Sequence, residues 1–339
     1  MVAAPFFTKA GVKNFRRLLL RWFDREKRAL PWRGESDPYR ILVSEIMLQQ
    51  TRVAVVEERY KKFLRQFPTV KRLAGAREQT VLAAWSGLGY YRRARSLHAT
   101  AKLIARGGEF PENSAVLAEL PGVGRYTANA VASIAFSEPV AVVDGNVKRV
   151  LQRMLARTLS DGQCWQAAGE LLEKRRPGDS NQAVMELGAL VCLPGKPLCR
   201  QCPVVKLCAS RGAGVGRKQS PRRKAVLNYA LVRRNGDVLL QQRPRSSPLM
   251  PGMWELPECQ QAVAQRKPLL RIRHSITVTD YAVSVFAGKG SPAGQGLWVP
   301  LRRVERLALT GLARKILRAY SQLNATVKSS EPIRNAGKR

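Results

Sequence analysis

The chain has 339 residues, 45% of them hydrophobic, which is enough for two domains that each bury a core. No run approaches the roughly 20 apolar residues that span a bilayer, and residues 1–9 lack the layout of a secretory signal, so we expect a soluble intracellular protein rather than a membrane or exported one. Lysine and arginine number 59 against 24 acidic residues, a formal charge of +35, which favours a polyanionic partner such as nucleic acid over a merely basic composition.

Residues 10–210 predict a mainly helical domain. Apolar residues recur there at three- and four-residue spacing, and the prolines fall between the periodic segments, where they separate helices rather than break them. The expected helices cover residues 17–29, 38–50, 53–67, 80–85, 91–106, 127–135 and 146–155, with a further one at 181–191.

Glu45 is the first candidate for chemistry. It lies within residues 43–48, a helix segment that is otherwise almost wholly apolar. A carboxylate on such a face loses hydration, which raises its pKa toward that of a useful general acid. The alternative is an exposed position on an amphipathic helix, and Glu45 alone does not decide between the two.

A glycine-rich turn, Leu120-Pro121-Gly122-Val123-Gly124, separates helices expected at 114–119 and 127–135. Glycines at alternate positions let backbone N–H groups approach an anion, and the second helix offers its positive N-terminus. This pattern indicates a helix–hairpin–helix, which grips phosphates without reading sequence. On the spacing of Gly122 and Gly124 alone an ordinary helix–helix turn is favoured; the basic charge and the two elements that follow reverse that preference.

Asp144 follows an apolar run at residues 140–143 and directly precedes a predicted helix. An aspartate in this position can simply cap the helix, which is a common role. Neither Asp144 nor Glu45 is decisive singly, and both gain weight from their combination with the hairpin.

A dense group of cysteines follows. Six cysteines occur in the chain, and four of them fall within 17 residues: Cys192, Cys199, Cys202 and Cys208. In an intracellular chain this density predicts a chelating loop rather than disulfides. The compact spacing favours a [4Fe–4S] cluster over structural zinc and leaves both open. Cys164 and Cys259 are expected to be plain core or surface thiols.

The character of the chain changes after residue 210. Residues 211–224 carry six basic and no acidic residues, which predicts a flexible basic linker. Residues 225–323 predict a small α+β domain with strands at 225–232, 237–242, 269–273, 277–286 and 297–301 and a helix at 304–323. Asn235-Gly236, between the first two strands, signals a tight hairpin. Residues 324–339 are expected to be disordered.

The motifs of residues 10–210 resemble those of the endonuclease III superfamily of helix–hairpin–helix DNA glycosylases, and within it the adenine DNA glycosylases of the MutY type. The matching stretches occur in the family's order: Leu30–Arg33, Asp37–Arg40, Ser44–Thr51, Gly87–Tyr91, Leu120–Ala128, Val143–Val150 and Glu186–Val191. The resemblance implies a mainly α-helical glycosylase fold. Because the cysteine spacing is also the family's, it implies a [4Fe–4S] cluster rather than zinc.

The resemblance further implies base-excision chemistry on adenine. Glu45 would protonate the ring at N7, Asp144 would stabilise or trap the positive charge on the sugar, and Glu45 would then help to deliver water. Tyr126 occupies the position where bifunctional relatives carry a Schiff-base lysine, so a monofunctional enzyme that leaves an abasic site is implied. Tyr126 and Asn146 would orient Asp144 and the sugar, unless they only pack and hydrogen-bond the helix start.

Contacts to the base and to DNA also follow from the resemblance. The matching positions are Trp32, Arg33 and Gln182 for an adenine pocket, and Gln50, Thr51, Leu88 and Tyr90, besides the hairpin glycines, for the DNA strands. Gln50 and Tyr90 would fill the gap that a flipped base leaves, and Thr51 would lie nearest the opposite base. The competing interpretation makes Tyr90 a core aromatic and Arg33 a phosphate contact.

Residues 226–325 resemble, more weakly, the MutT-like (Nudix) domain with which this family recognises 8-oxoguanine. The support lies in residues 239–243 and 252–257, but residues 252–268 offer only two glutamates for metal, so a lesion reader rather than a second enzyme is implied. Where the family commonly has Phe-Ser-His, this chain has Ile276-Thr277-Val278. Thr277 keeps a hydroxyl, and we expect weaker or differently arranged discrimination of 8-oxoguanine from guanine.

The implied function is removal of adenine from A:8-oxoguanine or A:G mispairs in double-stranded DNA, by a monomer in the cytoplasm of a bacterial-type cell, at its nucleoid. One rival is a bifunctional glycosylase for thymine glycol or other pyrimidine lesions, against which Tyr126 and the C-terminal domain argue. The other is a non-catalytic DNA-binding or redox-sensing cluster protein, for which replacing Glu45 and Asp144 would leave all activity unchanged.

Overall fold

A computed structural model describes residues 4–212, 222–259, 267–276, 278–288 and 296–329. The chain forms two compact units, the first made of Met1–Ala76 and Arg93–Lys218 and the second of Arg77–Arg92 and Gln219–Arg339. The domains predicted at 10–210 and 225–323 do not anticipate that Arg77–Arg92 belongs with the C-terminal residues. Within the described ranges, no helix is both long and apolar enough to cross a membrane.

The first unit is helical in its described part. Its helices are α1 (Lys9–Glu26), α2 (Pro38–Leu48), α3 (Val53–Gln66), α4 (Val70–Ala74), α6 (Arg92–Gly107), α7 (Ser114–Ala118), α8 (Arg125–Ala135), α9 (Gly145–Met154), α10 (Asp161–Leu171) and α11 (Pro177–Leu190). Short 3₁₀ turns follow at Cys199–Gln201 and Val205–Leu207, and α5 (Glu78–Ala84) belongs to the second unit. These helices confirm the predicted mainly α-helical class of this part of the chain.

Capping residues determine where several of these helices begin. Thr8 accepts a hydrogen bond from the Gly11 N–H at 3.1 Å, so α1 begins well before the predicted residue 17. α10 is absent from the helices expected on periodicity, yet Ser160 and Gln163 form a capping box at its start. That box has a recognisable sequence signature, so the signal for α10 was present.

The α2 helix is the centre of the first unit. Every residue from Ile41 to Met47 is buried, and the helix packs against α3 and α8. A second cluster joins α1 to α9, α10 and α11 around Phe15, Leu19 and Phe23. Burying side chains of this size contributes about 1.5–3 kcal/mol each. Because Glu45 lies on α2, among the residues from Ile41 to Met47, it is buried with the core of the first unit.

The second unit is a mixed sheet covered by a helix. Its strands are β1 (Arg223–Arg234), β2 (Asp237–Gln242), β3 (Trp254–Glu255), β4 (Leu270–Ile276), β5 (Thr279–Gly288) and β6 (Gly296–Pro300), in the order β3-β2-β1-β5-β4, with β6 also paired to β2. The β1–β5 pair is parallel and the others are antiparallel. Asn235 (φ 49°) and Gly236 (φ 84°) join β1 to β2, which confirms the predicted hairpin.

The C-terminal helix begins later than predicted. Instead of a helix over 304–323, a 3₁₀ turn covers Leu301–Arg306 and α12 covers Gly311–Ser329. Trp254 explains the delay, because its N–H donates to the Ala308 carbonyl (2.8 Å) and its carbonyl accepts from the Thr310 N–H (2.9 Å). The backbone before Gly311 is thus held by the sheet. The tail predicted from 324 also starts too early, since α12 runs to Ser329; residues 330–339 lie outside the described residues.

Candidate active site

A cavity of about 680 Å³ in the first unit collects most of the predicted site residues. Its lining includes Trp32, Arg33, Glu45, Gln50, Thr51, Gly124, Tyr126, Asp144, Asn146 and Gln182, together with Arg28, Met185 and Glu186, which were not predicted. Pockets of this volume are typical of sites for small molecules and bases. The two carboxylates proposed for chemistry therefore open into one space.

Glu45 is a buried acid of this cavity, with 6% of its surface exposed. Burial raises its pKa to about 7, and the negative charge of Asp144 adds to the rise, while a hydrogen bond from Tyr126 and the charge of Arg33 oppose it. A carboxyl group with this pKa carries its proton for much of the time near neutral pH. Glu45 can therefore act as an acid rather than only as an ionised carboxylate.

Asp144 occupies the start of α9 and also faces the cavity. Its Oδ1 accepts from the Val147 N–H at 2.7 Å and its Oδ2 accepts from Asn146 Nδ2 at 3.0 Å. Burial raises the pKa of Asp144, and these two hydrogen bonds oppose the rise. The capping role that the sequence left as an alternative is real, and it coexists with the position in the cavity.

Tyr126 contacts a different partner from the one predicted. Its hydroxyl donates to Glu45 Oε2 at 2.8 Å, whereas the family resemblance implied Asp144 as its partner. The reason is that Tyr126 lies in the first turn of α8, which packs against α2. Asn146 does contact Asp144, and its Oδ1 accepts from Arg149, whose Nε donates to the Cys192 carbonyl at 2.8 Å.

Glu186 links the polar residues of the cavity and was not predicted as a site residue. It accepts from Arg28 Nε and Nη2 at 2.8 Å each and from Arg33 Nη2 at 3.0 Å, while Arg33 Nη1 donates to Gln182. Burial alone would raise the pKa of Glu186, but the hydrogen bonds from Arg28 and the charge of Arg33 lower it, so the group is ionised. Glu186 follows Gln182 by four residues on α11, a spacing that signals a shared face.

Arg33 and Trp32 belong to the wall of the cavity. The Arg33 side chain is 13% exposed and paired with Glu186, so it is committed to the pocket rather than to an exposed phosphate contact. Trp32 is 7% exposed and meets the Tyr60 ring edge-on, with centroids 5.5 Å apart. A fixed aromatic wall beside buried hydrogen-bonding groups suits a flat, polar-edged ligand such as a nucleobase.

Gln50 and Thr51 form the turn that follows α2. Gln50 is exposed and has a φ of 54°, a left-handed conformation that non-glycine residues adopt only when their surroundings enforce it. Arg93 enforces it: Nη1 donates to the carbonyls of Ile46 (2.9 Å) and Met47 (2.8 Å), and Nη2 donates to Thr51 Oγ1 (2.9 Å). In a chain with so many basic residues, sequence alone did not single out Arg93.

Tyr90 and Leu88, the other residues predicted to touch DNA, lie in the second unit and differ in exposure. Tyr90 is 44% exposed and has a φ of 46°. It directly follows Gly89 in a turn that also contains Gly87, so it is not a core aromatic. Leu88 is 4% exposed. Its side chain is therefore not available in this structure for the predicted DNA contact, because it is packed inside the protein.

The hairpin between α7 and α8 requires its first glycine for two reasons. Gly122 has a φ of 74°, and a Cβ added there would lie 2.4 Å from the Ser96 Cβ. Gly124 is the N-cap of α8, and a Cβ there would meet no atom within 4 Å. Both glycines are exposed. The turn thus presents backbone at the positive end of α8, as a phosphate grip requires.

The four clustered cysteines all lie in the described part of the chain. Among the described residues, no three or more histidine, cysteine, aspartate or glutamate side chains converge as metal ligands would. Burial raises the pKa of Cys202 to about 11, and the negative charges of the other three thiols add to the rise, so the four are electrostatic neighbours. Arg153 Nη1 also donates to Cys192 Sγ at 3.3 Å. A set of four thiol donors with a cation beside it suits an iron–sulfur cluster or zinc.

The remaining predictions concern the other thiols and the second unit. Cys164 is buried and Cys259 is half-buried. Thr277 lies outside the described residues, while its neighbour Val278 is 60% exposed beside the β4–β5 pair. Glu255 is paired with Arg243, so one of the two glutamates considered for a Nudix metal site is already occupied by a cation.

The part of the chain that forms most of this cavity matches a known protein family. Residues 43–168 match the model of the HhH-GPD superfamily of base excision DNA repair proteins. That span contains Glu45, the hairpin, Tyr126 and Asp144.

Similar proteins are found among curated sequences and solved structures. The chain is 48% identical to the adenine DNA glycosylase of Homo sapiens over 219 residues (60% of this chain, 40% of that one). It is 44% identical to that of Rattus norvegicus over 263 residues (72% and 50%) and so spans about half the length of these curated relatives. The structure of a thermostable thymine-DNA glycosylase aligns with a TM-score of 0.56 and 30% identity, over 60% of this chain and 98% of that one.

Proposed function

The chain belongs to the HhH-GPD superfamily of base excision DNA repair proteins, and from that premise we propose that it hydrolyses the N-glycosidic bond of adenine mispaired with 8-oxoguanine or guanine in double-stranded DNA. One observation carries the proposal: Glu45, with a pKa raised to about 7 chiefly by burial, and Asp144, at a helix start, line the same cavity. The relatives named adenine DNA glycosylase support adenine as the base.

Glu45 supplies the proton in this reaction. Adenine leaves poorly as an anion, so proton transfer to its ring nitrogen must precede or accompany cleavage of the bond to the sugar. A buried acid with a pKa near neutral can hold that proton and release it in the transition state, an effect typically worth about 10²–10⁴ in rate. Once ionised, the same carboxylate can accept a proton from the attacking water.

Asp144 stabilises the positive charge that develops on the sugar as the bond breaks. Hydrogen bonds from the Val147 N–H and from Asn146 favour its ionised form, against the effect of burial. The same two contacts fix the carboxylate in one orientation. Asp144 and Glu45 thus have different tasks because their hydrogen-bond partners differ.

The reaction ends at an abasic site without cleavage of the strand. A combined lyase needs an amine that forms a Schiff base with the opened sugar, and Tyr126 offers only a hydroxyl, which is already bonded to Glu45. Tyr126 instead orients the acid. Asn146, in contrast, orients Asp144.

Recognition of adenine falls to the walls of the cavity. Arg33, Gln182 and Glu186 present donors and acceptors linked in one network, and Trp32 supplies a flat face. A buried site with fixed polar groups rejects a base that leaves those groups unpaired. The network therefore holds these donors and acceptors in one fixed arrangement beside the base.

Cys192, Cys199, Cys202 and Cys208 hold a [4Fe–4S] cluster in this proposal. Support comes from the donor set of four neighbouring thiols and from the cation Arg153 on Cys192 Sγ, which suits a thiolate. The cluster would tie the end of α11 to the loop of residues 192–208. No step of base release is assigned to it.

The wider assignment concerns partners and the second unit. A charge of +35, the hairpin glycines and the exposed turns at Gln50 and Tyr90 suit binding to double-stranded DNA by a monomer. The second unit would act as a MutT-like domain that recognises 8-oxoguanine through Thr277, with weaker or differently arranged discrimination. A cytoplasmic location at the nucleoid accords with such a substrate.

A panel of single-turnover reactions tests the proposed function. The wild-type chain is given duplexes with adenine opposite 8-oxoguanine, guanine or cytosine, together with a thymine opposite guanine and a thymine glycol. We expect release of adenine opposite 8-oxoguanine and guanine, and no adduct on treatment with borohydride. Release of thymine or thymine glycol without release of adenine would refute the proposal, and a trapped adduct would refute the monofunctional chemistry.

A further inference from the structure

We propose that Tyr91 is a positioning residue that fastens the turn carrying Tyr90 to the C-terminal residues of the second unit, so that this unit determines where Tyr90 stands. The inference rests on the proposed function in one respect, namely that Tyr90 enters the DNA stack. The anchoring itself is a property of the protein without DNA.

The first observation is a pair of hydrogen bonds within the second unit. The Tyr91 hydroxyl donates to the Leu309 carbonyl at 3.1 Å, and Gln79 Nε2 donates to the Gly252 carbonyl at 3.3 Å. Leu309 forms a bridge with Trp254 in β3, two residues after Gly252. Both acceptors therefore belong to ordered backbone beside the sheet, which makes the segment Arg77–Arg92 part of the second unit.

The second observation is the contrast in burial along the segment. Tyr91 is 3% exposed and Leu309 is 1% exposed, while Trp85 and Leu88 are buried as well. Tyr90, at 44%, is the residue of this turn with a large exposed hydrophobic side chain. The buried neighbours of Tyr90 pack inside the protein and hold the turn, while the Tyr90 ring remains exposed. An aromatic ring presented in this way needs little reordering before it stacks between bases.

The third observation is the backbone conformation of the turn. Gly87, Gly89 and Tyr90 have φ angles of 97°, 68° and 46°. A left-handed conformation at a residue as large as tyrosine persists only where the surroundings enforce it. The hydrogen bond from the hydroxyl of Tyr91, the next residue, to the Leu309 carbonyl can hold Tyr90 in this conformation. Trp85 Nε1 also closes the turn by donating to the Gly89 carbonyl at 3.1 Å.

A functional consequence follows from these three observations. If the sheet and the backbone around Leu309 shift when the second unit engages DNA, Tyr91 transmits the shift to Tyr90. Tyr90, which would hold open the base stack, would then respond to the ligand bound by the second unit. Tyr91 does this through Tyr90 and not through contact with the base, so it is not a catalytic residue.

The test uses the full-length chain with Tyr91→Phe. Tyr39→Phe is the matched control, because the Tyr39 hydroxyl also donates to a backbone carbonyl, that of Phe67 at 2.7 Å, and Tyr39 is also 3% exposed. We expect amide hydrogen exchange in residues 86–90 to accelerate at least roughly two- to tenfold in Tyr91→Phe, because the variant loses the hydrogen bond to Leu309 and the 3.4 Å contact with the Ser86 hydroxyl. Tyr39→Phe should leave exchange in that turn unchanged.

A second readout follows insertion of the Tyr90 ring between the bases. A 2-aminopurine placed beside the mispair brightens when its stack is opened, and we expect a smaller increase at saturating Tyr91→Phe than at saturating wild type or Tyr39→Phe. Gln79→Ala provides a second way to loosen the same segment and should change both readouts in the same direction. Unchanged exchange in residues 86–90 for both Tyr91→Phe and Gln79→Ala would overturn the inference. The exchange comparison needs no substrate, so it stands even if the chain releases no adenine.

Discussion

Glu45 and Asp144 show how neighbours give two carboxyl groups different tasks. Both are largely buried, and burial raises the pKa of each. Glu45 has the hydroxyl of Tyr126 as its hydrogen-bond partner, whereas Asp144 accepts from a backbone N–H at a helix start and from an amide. The first arrangement allows a carboxylic acid to persist near neutral pH, and the second favours a carboxylate.

The rate of adenine release should therefore depend on pH in a direction that can be stated. Glu45 must be protonated to act as an acid, so we expect the single-turnover rate to fall as the pH rises through about 7. The Tyr126 hydrogen bond lowers the pKa of Glu45, so Tyr126→Phe should move this alkaline limb to higher pH. The measurement is the rate from pH 5 to pH 9 for both proteins. An alkaline limb that stays in place, or moves to lower pH, would contradict the assignment of the acid.

The single residues of the site were predictable only in part. Glu45 and Asp144 stand in motifs of the chain and Gln182 was implied by the family resemblance, and the structure brings all three to one cavity. Glu186 and the contact between Tyr126 and Glu45 were not foreseen. Each depends on packing between helices that are distant in sequence, which local periodicity does not encode.

The hairpin is the element with the sharpest steric requirement. Gly122→Ala places a Cβ 2.4 Å from the Ser96 Cβ at a φ of 74°. We expect this substitution to lower the free energy of unfolding by more than about 1 kcal/mol and to weaken DNA binding. Chemical denaturation and a binding titration on the same duplex measure the two effects.

Gly124→Ala is the matched control for that experiment. A Cβ at Gly124 meets no atom within 4 Å, so we expect a smaller loss than in Gly122→Ala, because the poorer N-cap is offset in part by the lower entropy of the unfolded chain. Equal stability losses in the two variants would show that the turn does not have the geometry described.

The cysteine loop is the element whose ligand can be tested by removing one donor. Cys202→Ser should lose most of the iron and the visible absorbance of the purified protein and should lower its thermal stability, because four thiolates are needed to close the loop around a cluster. Cys259→Ser, in the second unit, should retain the wild-type iron content. Zinc instead of iron in the wild-type protein would disprove the cluster.

Elements with strong local signals were predicted well and those formed by long-range contacts were not. The Asn235-Gly236 hairpin and the helices α2, α8 and α9, which carry Glu45, Tyr126 and Asp144, follow from turn chemistry and periodicity. β3 has two residues and depends on β2, and α12 starts late because Trp254 binds the backbone before it. No local pattern could show either feature.

At the scale of the whole molecule, composition predicted two compact units, and the structure has two. The sequence could not show that Arg77–Arg92 leaves the helical part of the chain to join the second unit. That assignment depends on contacts such as Tyr91 with Leu309, between residues more than 200 positions apart. It also places Tyr90 in a different unit from Gln50, although both were predicted to enter the DNA stack.

Base release and DNA binding in Glu45→Gln and Asp144→Asn show directly whether the two carboxyl groups perform the reaction. Each protein is mixed in excess with a duplex that holds adenine opposite 8-oxoguanine, and adenine release and affinity for that duplex are measured together. We predict that release falls by at least about 10²-fold in each variant while affinity stays within a few-fold of wild type. Release at the wild-type rate in either variant would show that the two carboxyl groups of this cavity do not perform the reaction.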